Sequence, residues 1–222
     1  MRHHLLLPII ALGLVMSLPA CKSSQSPIFF SSPMSPAPDL PVPASFTLVS
    51  QSGVPDRVYD AAHLTGTFTL RSGQTSTEYF DKYRFEADPV LLRDIAEAMA
   101  PLVPEGIDAL AGLELGGVPI ATALSMVTGL PARFVRKEAK TYGTCMLAEG
   151  GDIEGMRLLV VEDVVTTGGQ VLLSTADLRE RGAKVDTVLC VIDRESGGTE
   201  AFAQQDLELR GLFRMSELTP SS

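Results

Sequence analysis

Between residues 52 and 215, apolar runs and amphipathic stretches follow one another in a pattern that predicts alternating strands and helices. Leu158 to Val161 is a short apolar run rich in β-branched residues, which is typical of a parallel strand buried on both faces. Three further strands are predicted on similar grounds, namely Ile107 to Leu115, Arg133 to Val135 and Lys184 to Asp193. Because strands and helices alternate at short spacing, the sequence predicts an α/β fold with a mainly parallel central sheet and helices on both faces.

Helix signals separate these strands. Asp88 and Pro89 are a typical N-cap and first helical residue, and apolar residues at helical spacing follow them. A second helix is predicted from Val118 to Val127. A third helix is expected to end near Arg181, because Gly182 is a typical helix stop.

The beginning and the end of this region are predicted to carry smaller elements. Val58 to Leu64 is predicted to be the end of a short helix. Two hairpin strands are then predicted from Thr67 to Leu70 and from Thr77 to Arg84, joined by a turn at residues 71–73. Near the C-terminus, a short helix and a strand from Leu207 to Phe213 are expected.

Composition and charge narrow the classes of function. The chain has 222 residues, with 27 acidic against 18 basic residues, and its sequence pI is about 4.8. General nucleic-acid-binding proteins are more often basic, so we expect no nucleic-acid partner. The spacing of Cys21, Cys145 and Cys190 matches no zinc or disulfide framework, and Cys190 lies in an apolar run where a buried thiol is expected.

The first 51 residues lack the pattern of a folded domain. In residues 1–21, a short basic start and an apolar stretch end at Cys21, which resembles a secretory signal with a lipoprotein cleavage site. The alternative, which we favour, is a start assigned too far upstream, with Met34 as the true start of a cytoplasmic protein. A membrane contact is expected only if this segment is real. Residues 22–51 are rich in Ser and Pro and are predicted to be a linker, residues 52–215 the domain and residues 216–222 a tail.

The run from Leu158 to Gln170 combines the predicted strand with two acidic residues and a turn of small residues. Glu162 and Asp163 follow the apolar run directly, at the strand end where open α/β sheets bind their ligands. Residues Thr166 to Gly169 then provide two hydroxyl groups and two unhindered backbone amides at a predicted helix N-terminus, which is typical of a phosphate site. A phosphate site beside two carboxylates suits a phosphorylated sugar. The alternative is an ordinary strand-turn-helix corner.

The densest basic cluster in the chain lies in the segment from Arg136 to Thr144. It contains Arg136, Lys137 and Lys140, and several glycines lie within it and after it. This composition is typical of a mobile loop that closes over a ligand, and three cations on such a loop suit a diphosphate group. The alternative is a charged surface hairpin.

These segments resemble a known family. The run from Leu158 to Gln170 resembles the phosphoribosyl-diphosphate signature of the type I phosphoribosyltransferases. Five other segments resemble the orotate phosphoribosyltransferases in the same order, namely FTLRSG (68–73), YFDKYRFEADP (79–89), LELGGVPIATA (113–123), RKEAKTYGT (136–144) and VIDRESGG (191–198). The resemblance covers about residues 52 to 215. It implies the type I phosphoribosyltransferase fold, in which the N-terminal hairpin and the C-terminal region form a small hood.

The resemblance implies roles for the residues at matching positions. The residues implied to bind phosphoribosyl diphosphate are Arg71, Arg136, Lys137, Lys140, Tyr142, Glu162, Asp163, Val164, Val165, Thr166, Thr167, Gly168, Gly169 and Gln170. The residues implied to bind orotate are Tyr79, Phe80, Thr166 and Arg194. Lys140 and Asp163 are the implied catalytic residues, and Mg²⁺ is the implied cofactor, held mainly through substrate oxygens. A homodimer is also implied, in which the basic loop reaches the active site of the neighbouring subunit.

Three positions depart from the family pattern. Tyr142 stands where many members have histidine, which leaves an acid–base role open, although a tyrosine hydroxyl can donate a hydrogen bond to phosphate. Glu162 stands where many members have aspartate, so a carboxylate with a longer reach is kept. Gly116 occupies a turn where some members have lysine, so the basic loop is expected to supply more of the positive charge.

The implied activity is the transfer of ribose 5-phosphate from phosphoribosyl diphosphate to orotate in pyrimidine (UMP) biosynthesis. Two alternatives stay open within the fold: a type I phosphoribosyltransferase that acts on another base, and a non-catalytic protein that senses phosphoribosyl diphosphate. A lipoprotein with only a binding role is a third alternative, which depends on Cys21. The basic loop and the FTLRSG hairpin favour orotate, because both lie outside the core that the whole class shares.

Overall fold

The computed structural model describes residues 53–70, 73–140 and 146–218. Its helices are α1 (Val54–Ala62), α2 (Tyr83–Ala87), α3 (Pro89–Met99), α4 (Gly117–Thr128), α5 (Gly169–Glu180) and α6 (Gly198–Ala203). Its strands are β1 (His63–Thr69), β2 (Thr75–Phe80), β3 (Ala109–Leu113), β4 (Ala132–Val135), β5 (Ala148–Glu149), β6 (Arg157–Val165), β7 (Lys184–Asp193) and β8 (Glu208–Arg214). Short 3-10 turns span Ala100–Leu102 and Met215–Glu217.

Six of the strands form one sheet in the order β5-β4-β3-β6-β7-β8, and β1 and β2 pair separately as an antiparallel hairpin. Every pairing in the larger sheet is parallel except that of β4 with β5. The predicted α/β class with a mainly parallel sheet is confirmed. The strand order changes direction at β3 and β6, and such a switch point is where open α/β sheets bind ligands.

The central strand β6 is covered on both faces, as its apolar run predicts. Leu159 and Val161 belong to a buried cluster that includes residues of α1, α3 and α4. Leu158 and Val160 belong to a second cluster on the opposite face, which includes residues of α5. Burial on both faces makes β6 a rigid support for the residues at its end.

The predicted helix at Asp88 is observed, with its cap. Asp88 Oδ1 accepts hydrogen bonds from the backbone amides of Val90 (2.9 Å) and Leu91 (3.0 Å), and Pro89 is the first residue of α3. The predicted end of the third helix lies close to the observed one, since α5 ends at Glu180 and Gly182 adopts a left-handed φ of 84°.

Several predicted boundaries are wrong. The predicted helix end at Leu64 is wrong because α1 ends at Ala62 and His63 already begins β1. The strand predicted to end at Arg84 instead stops at Phe80, and Tyr83 opens α2. Helix α2 places Phe85 fully inside the core, which a continued strand would not do.

Two further features of the sheet differ from expectation. Strand β6 continues to Val165, so Glu162 and Asp163 lie within the strand rather than after it. The short strand β5 was not predicted, since two residues carry no periodic pattern.

The expected burial of Cys190 is observed, and burial raises the pKa of its thiol. The other two cysteines, the linker and the signal-like segment lie outside the described residues.

Within the described part of the chain, no helix has both the length and the apolar character needed to cross a membrane.

Candidate active site

The turn between β6 and α5 has the geometry of a phosphate-binding loop. Thr166 and Thr167 are exposed at the end of the strand, and α5 begins at Gly169. Gly168 adopts a left-handed φ of 75°, and a Cβ there would lie 2.2 Å from Phe202 Cε1. The first amides of a helix have no partner within the helix, and the helix dipole favours an anion at this end. Glycine at position 168 therefore allows the turn that presents these groups to a ligand.

The neighbouring loop after β7 packs directly against this turn. The backbone amide of Arg194 donates to the carbonyl oxygen of Val165 at 2.8 Å. Gly198 comes so close that a Cβ there would lie 2.8 Å from the Thr166 carbonyl oxygen. The segment that carries Arg194 is thus held beside the phosphate-binding loop, although Arg194 and Thr166 are far apart in sequence.

A cavity of about 380 Å³ opens beside the loop. Nine of the fourteen residues predicted to bind phosphoribosyl diphosphate line it. Its lining residues are Lys82, Tyr83, Leu113, Glu114, Leu115, Val135, Lys137, Glu162, Val164, Val165, Thr166, Thr167, Gly168, Gly169, Gln170, Val171 and Ser174. The structure therefore brings the acidic strand end and the phosphate-binding loop into one site.

Asp163 lies next to this cavity and is fully buried. Lys82 Nζ is 2.9 Å from Asp163 Oδ1 and 2.6 Å from Oδ2, and the Val164 backbone amide donates to Oδ1 at 2.5 Å. On the other side, a Cβ at Gly116 would lie 1.6 Å from Asp163 Oδ2. Asp163 thus occupies space that is open only because residue 116 is glycine.

Three carboxyl groups cluster around Lys82. Burial and hydrogen bonding to Asp163 raise the pKa of Glu86 to about 9. Burial and the charge of Asp163 raise the pKa of Glu162 to about 9. For Asp163 itself, burial alone would raise the pKa, but hydrogen bonds from Glu162 and Glu86 and the charge of Lys82 lower it. In the ligand-free site, the cluster therefore holds one ionised carboxylate between two protonated carboxyl groups.

The residues of the basic segment take different positions. Lys137 lines the cavity, and its backbone amide donates to Glu114 Oε1 at 2.6 Å. Lys140 instead forms an ion pair with Glu149 on β5, with 2.5 Å between Nζ and Oε1. Arg136 is half-buried and is absent from the described lining of the cavity. Tyr142 lies outside the described residues.

The residues predicted to bind orotate are divided between two cavities. Tyr79, Phe80 and Arg194 line a second cavity of about 300 Å³. Thr166 lines the first cavity, with the phosphate-binding loop. Arg71 lies outside the described residues. The second cavity combines exposed aromatic surface with an arginine, which suits a flat anionic ring.

The donor set of the site fits a metal ion that arrives with its substrate rather than one held by the protein. Across residues 53–70, 73–140 and 146–218, no group of three or more His, Cys, Asp or Glu side chains could hold a metal ion. Asp163 is neutralised by Lys82, and Glu162 is protonated at neutral pH. Mg²⁺ is commonly bound through substrate phosphates with only one or two protein carboxylates, and this arrangement is compatible with that mode.

Sequence reasoning missed Lys82, Glu86 and Glu114. Lys82 falls within the strand predicted to end at Arg84, and Glu86 falls before the helix predicted at Asp88, so the predicted elements do not place the two residues on one helical face. Their positions in and next to α2 are what bring both side chains to Asp163. The signal that was available is the pair of opposite charges at helical spacing around the buried Phe85.

A phosphate-binding loop after a central parallel strand, with paired acids at the strand end, defines the class of the phosphoribosyltransferases. The family model of the phosphoribosyl transferase domain matches residues 84–202. The curated orotate phosphoribosyltransferase of Nocardioides sp. is 58% identical over 155 residues, which is 70% of this chain and 87% of the relative. The chain therefore belongs to the orotate phosphoribosyltransferase family.

Solved structures agree with this relationship. The orotate phosphoribosyltransferase of Mycobacterium tuberculosis H37Rv in complex with Fe(III) dicitrate has a TM-score of 0.68 and 31% identity, covering 76% of this chain and 98% of that one. The same enzyme in complex with 5-phospho-α-D-ribosyl 1-diphosphate has a TM-score of 0.66 and 29% identity, with the same coverage of both chains.

Proposed function

We propose that this chain transfers ribose 5-phosphate from phosphoribosyl diphosphate to orotate, giving orotidine 5′-monophosphate and diphosphate. The observation that carries the proposal is the phosphate-binding loop of residues 166–170 in one cavity with Glu162 and beside Asp163. The loop amides and threonine hydroxyls bind the 5′-phosphate, and the acidic residues accept hydrogen bonds from the ribose hydroxyls. These contacts fix the sugar for attack at its C1 carbon.

The reaction itself requires the protein to stabilise a departing diphosphate. As the ring nitrogen of orotate attacks C1, the ribose takes on oxocarbenium character and negative charge grows on the leaving group. Cations placed in advance around that group lower the barrier. Arg136, Lys137, Lys140, Tyr142 and Arg71 are the residues that we assign to this task, with Lys140 as the catalytic cation. No strong general base is required, because the ring nitrogen of orotate ionises readily.

Mg²⁺ is part of this proposal as a companion of the diphosphate. When bound, it neutralises diphosphate charge. The chain contributes Glu162 and Asp163 beside the ribose, and Lys137 and the phosphate-binding loop in the lining of the cavity. Burial and the charge of Asp163 keep Glu162 protonated in the ligand-free site, and the carbonyl oxygen of a protonated carboxyl group can still accept a hydrogen bond from a ribose hydroxyl.

Orotate is proposed to bind against Tyr79, Phe80 and Arg194. Tyr79 is 45% exposed, so its ring is open to stacking by a ligand. Arg194 is exposed and lies beside the end of β6, where its guanidinium group can pair with the orotate carboxylate. A charge-assisted hydrogen bond of this kind contributes about 1.5 to 3 kcal/mol. Thr166, which lines the first cavity, is assigned to orotate as well.

The charge around the first cavity supports a homodimeric enzyme. Glu114 and Glu162 line the cavity and Asp163 adjoins it, whereas Lys82 and Lys137 are the cations among its described lining residues. Lys140 is held by Glu149 of its own chain. A diphosphate therefore meets too little positive charge in this arrangement, and a basic loop from a second subunit would supply it.

The direct test is an absorbance assay for the loss of orotate in the presence of phosphoribosyl diphosphate and Mg²⁺. Uracil, adenine, guanine and hypoxanthine are assayed in parallel. We expect orotate alone to be consumed, with release of diphosphate. Consumption of another base would favour a different phosphoribosyltransferase. Tight binding of phosphoribosyl diphosphate without turnover of any base would favour a sensor.

We also propose that the enzyme acts in the cytoplasm, because its proposed substrates are cytoplasmic metabolites. The measurement is mass spectrometry of the N-terminus of the native protein. A start at Met34 supports the proposal, whereas a lipid on Cys21 would place the protein at a membrane.

A further inference from the structure

Lys82 is a cation at the centre of the site that neither the phosphate-binding loop nor the basic segment includes. It precedes α2, and its side chain is 32% exposed, so it is open to the cavity that it lines. Its ammonium group contacts both oxygens of Asp163, at 2.6 and 2.9 Å. Lys82 thus reaches the carboxylate to which we assign the ribose hydroxyls, from the same cavity that would contain the diphosphate.

The ion pair has a clear physical reason in the empty site. A fully buried carboxylate without a counter-charge is strongly unfavourable, and Asp163 is fully buried. Burial alone would lower the pKa of Lys82, but the charge of Asp163, the hydrogen bond to Asp163 and the charge of Glu162 together raise it. Lys82 is therefore charged wherever Asp163 is ionised.

The Asp163 side chain leaves no room for a side chain at residue 116, so the cation that reaches this carboxylate comes from residue 82. A Cβ at residue 116 would lie 1.6 Å from Asp163 Oδ2. A side chain at residue 116 therefore cannot coexist with the observed position of Asp163. Lys82 brings an ammonium group to the same carboxylate from a different element of the chain.

Bound substrate would change the balance of this pair. Ribose hydroxyls that donate to Asp163 add to the hydrogen bonds from Glu86 and Glu162, so that several donors stabilise its charge when Lys82 moves away. The ammonium group, with its flexible four-carbon stem, is then free to turn towards the group in the cavity with the highest negative charge. In phosphoribosyl diphosphate that group is the diphosphate on C1, next to the ribose hydroxyls.

We propose that Lys82 is a diphosphate-binding residue that Asp163 holds in the empty site and that ribose hydroxyls release to the substrate. The proposal rests on the proposed function and adds to it a cation from outside the basic segment. It predicts a specific difference between two ligands. Lys82 attracts the diphosphate of phosphoribosyl diphosphate, whereas for ribose 5-phosphate, which has no diphosphate, it only competes for Asp163.

The test measures the binding of both ligands to the full chain by calorimetry with Mg²⁺ present, for wild type and Lys82→Met. We expect Lys82→Met to lower the affinity for phosphoribosyl diphosphate at least about tenfold, which is the effect of losing a charge-assisted hydrogen bond. Ribose 5-phosphate should bind with unchanged or higher affinity. If Lys82 had only a structural role, Lys82→Met would lower the affinity for both ligands equally, and that result would overturn the proposal.

Two controls keep the result interpretable. Lys184→Met removes an exposed lysine at the start of β7 and should leave both affinities unchanged. If Lys82→Met does not fold, the same comparison is made between Asp163→Asn and the double variant Lys82→Met/Asp163→Asn, in which no buried carboxylate lacks a partner. A diphosphate-specific loss in the double variant supports the proposal, and an equal loss for both ligands contradicts it.

The outcome for the proposed function is separate. Wild type that binds phosphoribosyl diphosphate but never consumes orotate would contradict the proposed function and leave the comparison of the two ligands valid. Wild type that does not bind phosphoribosyl diphosphate at all would contradict both.

Discussion

Asp163 is fully buried, whereas most aspartate side chains in proteins are exposed to water. Lys82 neutralises it, and the protonated carboxyl groups of Glu86 and Glu162 donate hydrogen bonds to it. A buried carboxylate that accepts several hydrogen bonds stays ionised despite the loss of hydration. The residue that is proposed to bind the ribose is therefore ready to accept hydrogen bonds before the ligand arrives.

The raised pKa values of Glu86 and Glu162 predict that stability falls with rising pH. Their carboxyl groups keep protons in the folded state that the unfolded chain releases. The stability they contribute is therefore present below the ordinary carboxyl pKa and is lost as the pH rises through about 9. In Glu86→Gln, a neutral amide that can still donate towards Asp163 replaces one of these groups, so the fall should be smaller.

Urea unfolding at a series of pH values measures this effect. Between about pH 6 and pH 9, wild type should lose about 1 to 2 kcal/mol more of its free energy of unfolding than Glu86→Gln, after allowance for solvent screening. Glu180→Gln, which removes an exposed carboxyl group on α5, is the control and should follow wild type. Equal slopes for wild type and Glu86→Gln would show that Glu86 is ionised in the folded protein.

Glu162 and Asp163 could be found in the sequence, because they follow a buried apolar run and precede a turn of small residues. Lys82 and Glu86 could not be assigned to the site in this way. They approach Asp163 from a segment about 80 residues earlier in the chain, which only the packing of α2 brings close. At Gly116, the sequence predicts only that a positive charge is missing from the turn. The structure adds that the Asp163 side chain fills the space that a side chain at residue 116 would need.

At the scale of elements, the junction of β6 and α5 makes the phosphate-binding loop. Gly168 is predicted to be essential to its shape, because alanine there requires a left-handed conformation and contacts the fully buried ring of Phe202. Gly168→Ala should therefore lower the free energy of unfolding by about 2 to 4 kcal/mol. It should also weaken the binding of phosphoribosyl diphosphate, since the amides of the loop would be displaced.

Gly169→Ala is the matched control for stability. Its Cβ would meet no atom within 4 Å. Urea denaturation should show little change for Gly169→Ala, which sits at the first position of α5. Similar losses in the two variants would mean that the contact with Phe202 does not determine the shape of the loop.

Elements with long periodic patterns were predicted well, and short ones were not. Strand β6 and helix α3 were found because burial on two faces or on one helical face leaves a regular pattern, whereas α5 was found from the turn before it and from Gly182 after it. Strand β5 has two residues, and α2 has five, so neither carries a full period. Residues around Tyr83 have the aromatic composition of a strand, but burial of Phe85 favours a helix there.

For the whole molecule, the proposed homodimer predicts that two inactive variants can complement each other. Lys140→Ala removes the cation that we propose as catalytic, and Asp163→Asn changes the residue that we propose to bind the ribose. If the loop acts in the neighbouring site, a heterodimer of the two contains one intact site. Heterodimers purified by two different tags after co-expression should have about half of wild-type activity in the orotate assay.

The homodimers of each variant, carried through the same purification, are the controls and should remain nearly inactive. A heterodimer as inactive as its parents would indicate that Lys140 acts within its own subunit. In that case the ion pair of Lys140 with Glu149 would have to open during turnover. Light scattering of the wild type provides the molecular mass of the assembly independently.

The sequence by itself determined the order of the main strands and helices, the phosphate-binding loop with its acidic neighbours, and the family of the chain. These are local properties, since periodicity, turn residues and short motifs are read within a few residues of one another. The tertiary structure decided which side chains surround Asp163 and that the predicted orotate residues lie in two cavities. Such contacts depend on the packing of distant segments, which excludes some side chains by volume and selects others by charge.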